Sequence, residues 1–342
     1  MPQLPHKASL VLALALALDL ALALTPAALA QSSGTAPSNQ PRLGAQPAQP
    51  DAPAVPSRAA SDFRPSLHGF AFVNSFTGSP LPAALRELKG PLGDLIREGV
   101  ESGTNAPSRF GLCGGMSLAA ADLFLERTPR PAANKPPAPG TDLYEWLHRR
   151  QESSLGSAGL FAIKFMTWMM LPDAISSTGT TNTTSTTATP LRTIAHATYE
   201  ELGPILKRLD EGELAPLGLV YVRAASNSKA PESQPGLPWE NHQVLAYQAQ
   251  RNPTQAPPGA AKPDTKSLDS IPAGKITLWI YDPNYPNDDD ARIELEVGDG
   301  QVRAVQVTGS GKRIPVRGVM AMPWVPQPVP AAVSAASKPA PR

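Results

Sequence analysis

Hydrophobic spacing divides the chain into a helical half and a strand half. In the first half, Cys113 to Arg127 carries Met116, Leu118, Ala119, Leu123 and Phe124 at helical spacing, which predicts an amphipathic helix. Asp142 to Ser153 reads as a second helix, and Leu160 to Leu171 as a very apolar third. Thr198-x-x-Glu201 has the form of a capping box, followed by Ile205, Leu206 and Leu209, with Gly212 as the stop. Further upstream, Leu67 to Phe76 alternates aromatic and aliphatic positions and predicts a strand or extended segment, and Leu81 to Leu88 a short helix.

After Gly212 the period shortens to two. Leu217 to Val222, His242 to Tyr247, Ile276 to Tyr281, Ile293 to Val297, Val302 to Val307 and Val316 to Met322 all read as strands. Helices first and strands second predict an α+β chain with an antiparallel sheet. Between these elements lie polar or proline-rich loops at 130–140, 176–189 and 226–238, and a Pro/Lys/Ala insertion at 251–272.

Composition sets the boundaries. Residues 1–30 hold an apolar run from Leu10 to Leu24, interrupted by Asp19, and end in Ala28-Leu-Ala30, which is the pattern of a secretory signal peptide cleaved near Ala30. Residues 31–60 are rich in Pro, Ala, Ser and Gln and read as a disordered linker, and 326–342 as a tail of the same kind. That leaves 61–325 as one domain of roughly 260 residues, enough to bury a sizeable core. The expected location is secreted or periplasmic. Past the leader no apolar stretch reaches membrane-spanning length. The formal net charge is +1, with no basic stripe, so nucleic acid is not an expected partner.

Cys113 is the single cysteine of the chain, and it sits in Gly111-Leu-Cys-Gly-Gly-Met116 at the start of a predicted helix. Unpaired N–H groups and the positive end of the helix dipole favour a thiolate there. The two following glycines would let a substrate backbone approach. The same pattern also suits a small buried hydrophobe. One cysteine cannot pair within the chain, however, so in an exported protein it should be either deeply buried or used.

Two more segments complete a set. Asn241-His-Gln-Val-Leu opens a strand with His242, and Ile280-Tyr-Asp-Pro-Asn-Tyr-Pro286 closes the next with Asp282. Adjacent antiparallel strands bring the start of one beside the end of the other. Asp282 could then hold one nitrogen of His242 while the other serves the thiol. Taken singly, His242 could be a core or surface histidine and Asp282-Pro-Asn284 a turn opener. Asp288-Asp-Asp290 lacks the spacing of a calcium loop and reads as solvated. The remaining histidines show no ligand spacing, so neither metal nor cofactor is expected.

The order of Cys on a helix N-terminus, His opening a strand and Asp closing the next resembles the papain-like cysteine peptidase fold. The His242-x-Val-Leu and Asp282-Pro segments look most like its C39-like branch, the relatives of bacteriocin-processing peptidases. The resemblance covers roughly Phe110 to Pro286. It implies an N-terminal helical half whose Cys helix packs on an antiparallel sheet, with Cys113 as nucleophile, His242 as general base and Asp282 as its orienter. The glutamine that the family places shortly before its cysteine, as an oxyanion donor, has no counterpart here. Asn105, Gln151 and Gln243 are the candidates for that role, with Asn284 as a positioning residue. The implied activity is hydrolysis or acyl transfer on a peptide or amide, with a peptide or protein substrate. The alternatives are an inactive papain-like fold that binds peptide or cell-envelope material, and a structural protein with a core cysteine.

Overall fold

The computed structural model describes residues 58–77, 110–156, 159–173, 192–224, 235–236, 238–253 and 271–336, all within one unit spanning 56–342. The predicted signal peptide, most of the linker, the helix at Leu81 to Leu88, Asn105, the loop at 176–189 and most of the 251–272 insertion lie outside the described residues.

The architecture is α+β: a helical N-terminal part packs on a curled antiparallel sheet from the C-terminal half. The helices are α1 (Pro65–His68), α2 (Cys113–Leu125), α3 (Asp142–Ser154), α4 (Leu160–Met170), α5 (Ile194–Asp210) and α6 (Ala331–Ala336). The strands are β1 (Arg58–Ala60), β2 (Ala215–Val220), β3 (Arg223–Ala224), β4 (Pro235–Gly236), β5 (His242–Pro253), β6 (Gly274–Tyr281), β7 (Arg292–Gly298), β8 (Gln301–Val307), β9 (Arg313–Val316) and β10 (Gly318–Ala321). The main sheet runs β10-β2-β5-β6-β7-β8-β9, with β1 added on β5, and β3 and β4 form a separate small pair. β9 and β10 occupy opposite ends of that order yet are separated only by Arg317, so the sheet must curl to bring its two edges together.

Period-two alternation assigns the two faces of the sheet. Leu217, Leu219, Val244, Ala246, Leu278, Ile280, Ile293, Leu295, Val302 and Ala304 share one core with Leu202, Ile205, Leu206 and Leu209 of α5. On the other face Leu245, Tyr247 and Tyr281 join Met116, Ala119, Ala120 and Leu123 of α2 and Leu147 of α3. β5 separates the two cores. A bulge between Ala246 and Gln248 shifts its phase by one residue, so Ala249 returns to the α5 face. Asp299 and Gly300, both at positive φ, make the two-residue turn between β7 and β8.

Several expectations change. Leu67 to Phe76, expected as a strand or extended segment, forms no strand beyond a single bridge. After α1 it is irregular, bridges Phe110 only at Phe76, and buries Phe70, Phe72 and Phe76 against α2 and α3. α5 starts four residues before the proposed capping box. Thr193 caps it by accepting the His196 N–H at 3.1 Å, while Thr198 and Glu201 accept strand N–H groups from Val319 and Ala321. The strand at Val316 to Met322 is two strands, broken where Arg317 turns its guanidinium onto Asp173 and the carbonyls of Val222 and Leu171. The linker contributes β1 at its end.

The segment read as a disordered tail from 326 does not match that description as far as 336. Val329 and Val333 are buried in the α2 core, and α6 packs beside α3. Buried Asp122 on α2 holds the approach to it, accepting from Trp324 Nε1 and the Gln327 N–H, both at 3.2 Å, and facing Arg150 Nε at 2.8 Å. Proline-rich composition concealed two well-placed valines.

Candidate active site

Cys113 is the first residue of α2 and is half-buried. Side chains from distant segments complete the helix start. Asn74 Oδ1 accepts the Leu112 N–H at 2.6 Å, and Gln151 Oε1 accepts the Gly115 N–H at 3.0 Å. The Met116 N–H returns to the Leu112 carbonyl. Among the described residues this leaves the N–H groups of Cys113 and Gly114 without a partner, two adjacent donors at the positive end of the helix.

The glycines after the cysteine serve packing rather than substrate approach. A Cβ on Gly115 would lie 2.1 Å from the Leu147 carbonyl oxygen, so glycine is what lets α2 and α3 touch backbone to backbone. A Cβ on Gly114 would lie 1.8 Å from Gln243 Oε1 and 2.3 Å from Ser154 Oγ.

His242 is the first residue of β5, and Asp282 follows the last residue of β6. Leu245 pairs with Tyr281, so the antiparallel register carries His242 past the end of β6 and alongside the Asp282 turn. The imidazole Nε2–H donates to Asp282 Oδ1 at 2.7 Å, and both side chains are buried, 6% and 1% exposed. The other ring nitrogen remains for the thiol, and Cys113 is among the groups whose charge acts on the ring. Burial alone would drive the ring toward its neutral form. The charge and hydrogen bond of Asp282, with a smaller contribution from the nearby Cys113, outweigh it and raise the ring to about 10. The imidazolium is therefore the favoured form at neutral pH.

The structure thus joins His242 to Asp282 and sets the Cys113 end of α2 beside the start of β5, where Gly114 meets Gln243. Gln243 points to the other face of β5, against Gly114, and its carbonyl accepts from Ser117 Oγ at 3.4 Å. Gln151 is committed elsewhere: its Oε1 caps Gly115 and its Nε2 donates to Ser154 Oγ at 3.3 Å. Asn284 donates its backbone N–H to Asp282 Oδ1 at 2.8 Å, and its side-chain oxygen accepts from Asn74 Nδ2 at 3.0 Å. Asp288 and Asp289, read as solvated, tie loops together through the N–H groups of Gly309 and Ser66.

Three neighbours escaped the sequence reading. Asn74 joins the loop before Cys113 to the loop after Asp282. Gln306 donates from Nε2 to Asp282 Oδ2, and the Tyr221 hydroxyl donates to Gln306 Oε1. A signal for two of them exists. Gln306 follows Val302 and Ala304, and Tyr221 follows Leu217 and Leu219, so each is polar in phase with an inward apolar row.

A cavity of about 220 Å³ is lined by Pro131, Thr141, Asp142, Leu143, Ala332 and Val333, none of which belongs to this cluster. Among the described residues, no helix is long and apolar enough to cross a membrane. Comparison with protein-family models, curated proteins and solved structures finds no match for the chain.

Proposed function

We propose that the protein is an exported cysteine-dependent hydrolase or acyl transferase acting on a peptide or amide bond, with a papain-like, C39-like arrangement of Cys113, His242 and Asp282. The observation that carries this reading is the His242–Asp282 pair, a buried carboxylate 2.7 Å from Nε2, at the start of β5 where Gln243 packs on Gly114, next to the half-buried thiol that starts α2. A structural cysteine needs neither the histidine nor the carboxylate behind it.

In the proposed reaction the Cys113 sulfur, having given its proton to His242, attacks the substrate carbonyl and forms a carbon–sulfur bond. The resulting oxyanion accepts from the N–H groups of Cys113 and Gly114, in place of the upstream glutamine of the resembled family. The imidazolium then donates its proton to the departing amine as the carbon–nitrogen bond breaks. A water, or an acceptor amine in transfer, loses a proton to His242 and attacks the thioester. Collapse releases the acyl product and returns the thiol. Asp282 keeps the imidazole in one tautomer and stabilises its charged form.

Iodoacetamide labelling of the folded protein tests the site. Labelling at neutral pH should be fast and should slow in His242→Ala, and Cys113→Ala should abolish turnover of a fluorogenic peptide or amide panel. Labelling seen only after denaturation would remove the enzyme reading. Fast labelling with peptide binding but no turnover would favour the inactive, peptide-binding alternative.

A further inference from the structure

We infer that Gln306 and Tyr221 are positioning residues that hold Asp282 in its role toward His242, so that the site is a five-residue assembly rather than a triad. This rests on the reading of Cys113, His242 and Asp282 as a hydrolytic site.

The hydrogen-bond directions around Asp282 are forced by chemistry. A carboxylate only accepts. Its Oδ1 takes the His242 Nε2–H and the Asn284 backbone N–H, and its Oδ2 faces the Gln306 side chain. Gln306 must therefore present its amide nitrogen to Asp282, which turns its oxygen to Tyr221. An oxygen facing an oxygen needs a proton between them, so the Tyr221 hydroxyl must donate and must stay neutral. Burial, then the nearby Asp282 carboxylate, with lesser contributions from Cys113 and Tyr285, raises the phenol well above its ordinary value. The chain thus runs in one direction, from Tyr221 through Gln306 to Asp282.

Tyr221 also meets the other end of the site. Its ring stacks on His242 at 6.5 Å between centroids and 23° between planes. One side chain therefore fixes both the plane of the imidazole and, through Gln306, the carboxylate that orients it. Gln306 is 1% exposed on β8, two strands beyond β6, so Asp282 is held from outside its own loop. The ionisable groups acting on the His242 ring are Asp282, Cys113 and Tyr221, the last kept neutral.

The test reads His242 directly, by NMR titration of the five histidines in isotope-labelled protein, with His242→Ala supplying the assignment. In Gln306→Ala, the His242 midpoint should fall by a unit or more from the wild-type value. Cys113 alkylation at pH 7.5 should slow by about tenfold, as expected for losing a hydrogen bond to a charged group. Tyr221→Phe keeps the ring stack and the fold-bearing bulk but removes the donor, and it should shift the midpoint in the same direction by less. If Gln306→Ala fails to fold, Tyr221→Phe carries the test alone. A His242 midpoint unchanged from wild type in the folded variants would overturn the positioning role, even if alkylation slowed. A wild-type midpoint at the ordinary histidine value would overturn the underlying site reading, and this inference with it.

Discussion

Asp282 Oδ1 lies 2.7 Å from His242 Nε2 and accepts the Asn284 backbone N–H as well, so one oxygen both orients the imidazole and fixes its own turn. Because Asn284 serves Asp282 through its backbone, the side chain at 284 is secondary to the carboxylate at 282. Asp282→Asn should therefore lower Cys113 alkylation strongly, since the amide favours the wrong imidazole tautomer, and Asn284→Ala should lower it less. Alkylation rates of the two variants side by side check the order. The reverse order would make Asn284 the third member and bring the site closer to a Cys-His-Asn arrangement.

The raised pKa of His242 sets a pH window. The pairing stabilises the protonated ring, so its contribution to folding is fully present below the unfolded value of about 6.5. It is lost as pH rises through about 10. The same proton is the one the leaving group needs. Turnover should accordingly persist into mildly alkaline solution and decline near pH 10, and in Asp282→Asn the alkaline limb should move toward neutrality. A pH–rate profile of both proteins measures it.

The α2–α3 contact makes a sharp demand on Gly115. A methyl there would press on the Leu147 carbonyl, which is backbone within a helix and cannot turn away. Gly115→Ala should cost on the order of 1–3 kcal/mol, the range for overpacking with strain. At Gly114 the nearest obstacle is the end of the Gln243 side chain, which can rotate. Gly114→Ala should then cost less stability while disturbing the site. Urea unfolding and alkylation, measured on both variants, separate the two effects.

The fold class, the cysteine at a helix start and the pairing of His242 with Asp282 were legible because each rests on local pattern. A helical stripe starts at the cysteine, and two neighbouring strands of period two carry the other pair to one end of the sheet. What stayed hidden depended on partners remote in sequence. Asn74 reaches Leu112 and Asn284 from an irregular segment whose aromatic alternation looked like a strand. Gln306 belongs to a strand three ladders from His242, and only curling of the sheet brings it to Asp282. Thr198 and Glu201 matched a capping box by spacing, yet they satisfy N–H groups of β10. Composition misled at the C-terminus, where prolines surround Val329 and Val333.

That C-terminal segment gives a stability test. Truncation after Gln327 removes both buried valines, each worth about 1.5–3 kcal/mol, from the core that carries α2. The unfolding free energy should drop by roughly 3–5 kcal/mol, an upper-range figure because the denatured chain already buries some of this surface. An unchanged denaturant midpoint would show that α6 adds nothing to the core.

Asn74 offers the most discriminating substitution, because its two ends do different work. Its oxygen accepts the Leu112 N–H just before the cysteine, and its nitrogen donates to Asn284 two residues past Asp282. Asn74→Ala severs both ties and should slow Cys113 alkylation by about tenfold, while the aromatic core around Phe72 and Phe76 preserves the fold. Asn74→Asp keeps an acceptor for Leu112 but sets a carboxylate oxygen against Asn284 Oδ1, so it loses only the second tie. Asn284→Ala removes that tie from the other side. If the link between the loops is what matters, Asn74→Asp and Asn284→Ala should show similar losses and the double variant should be no worse than either. Losses that add in the double variant would mean that the two asparagines act separately, and no loss in either single variant, with Asn74→Ala still slow, would mean that the Leu112 contact alone sets the position of the thiol.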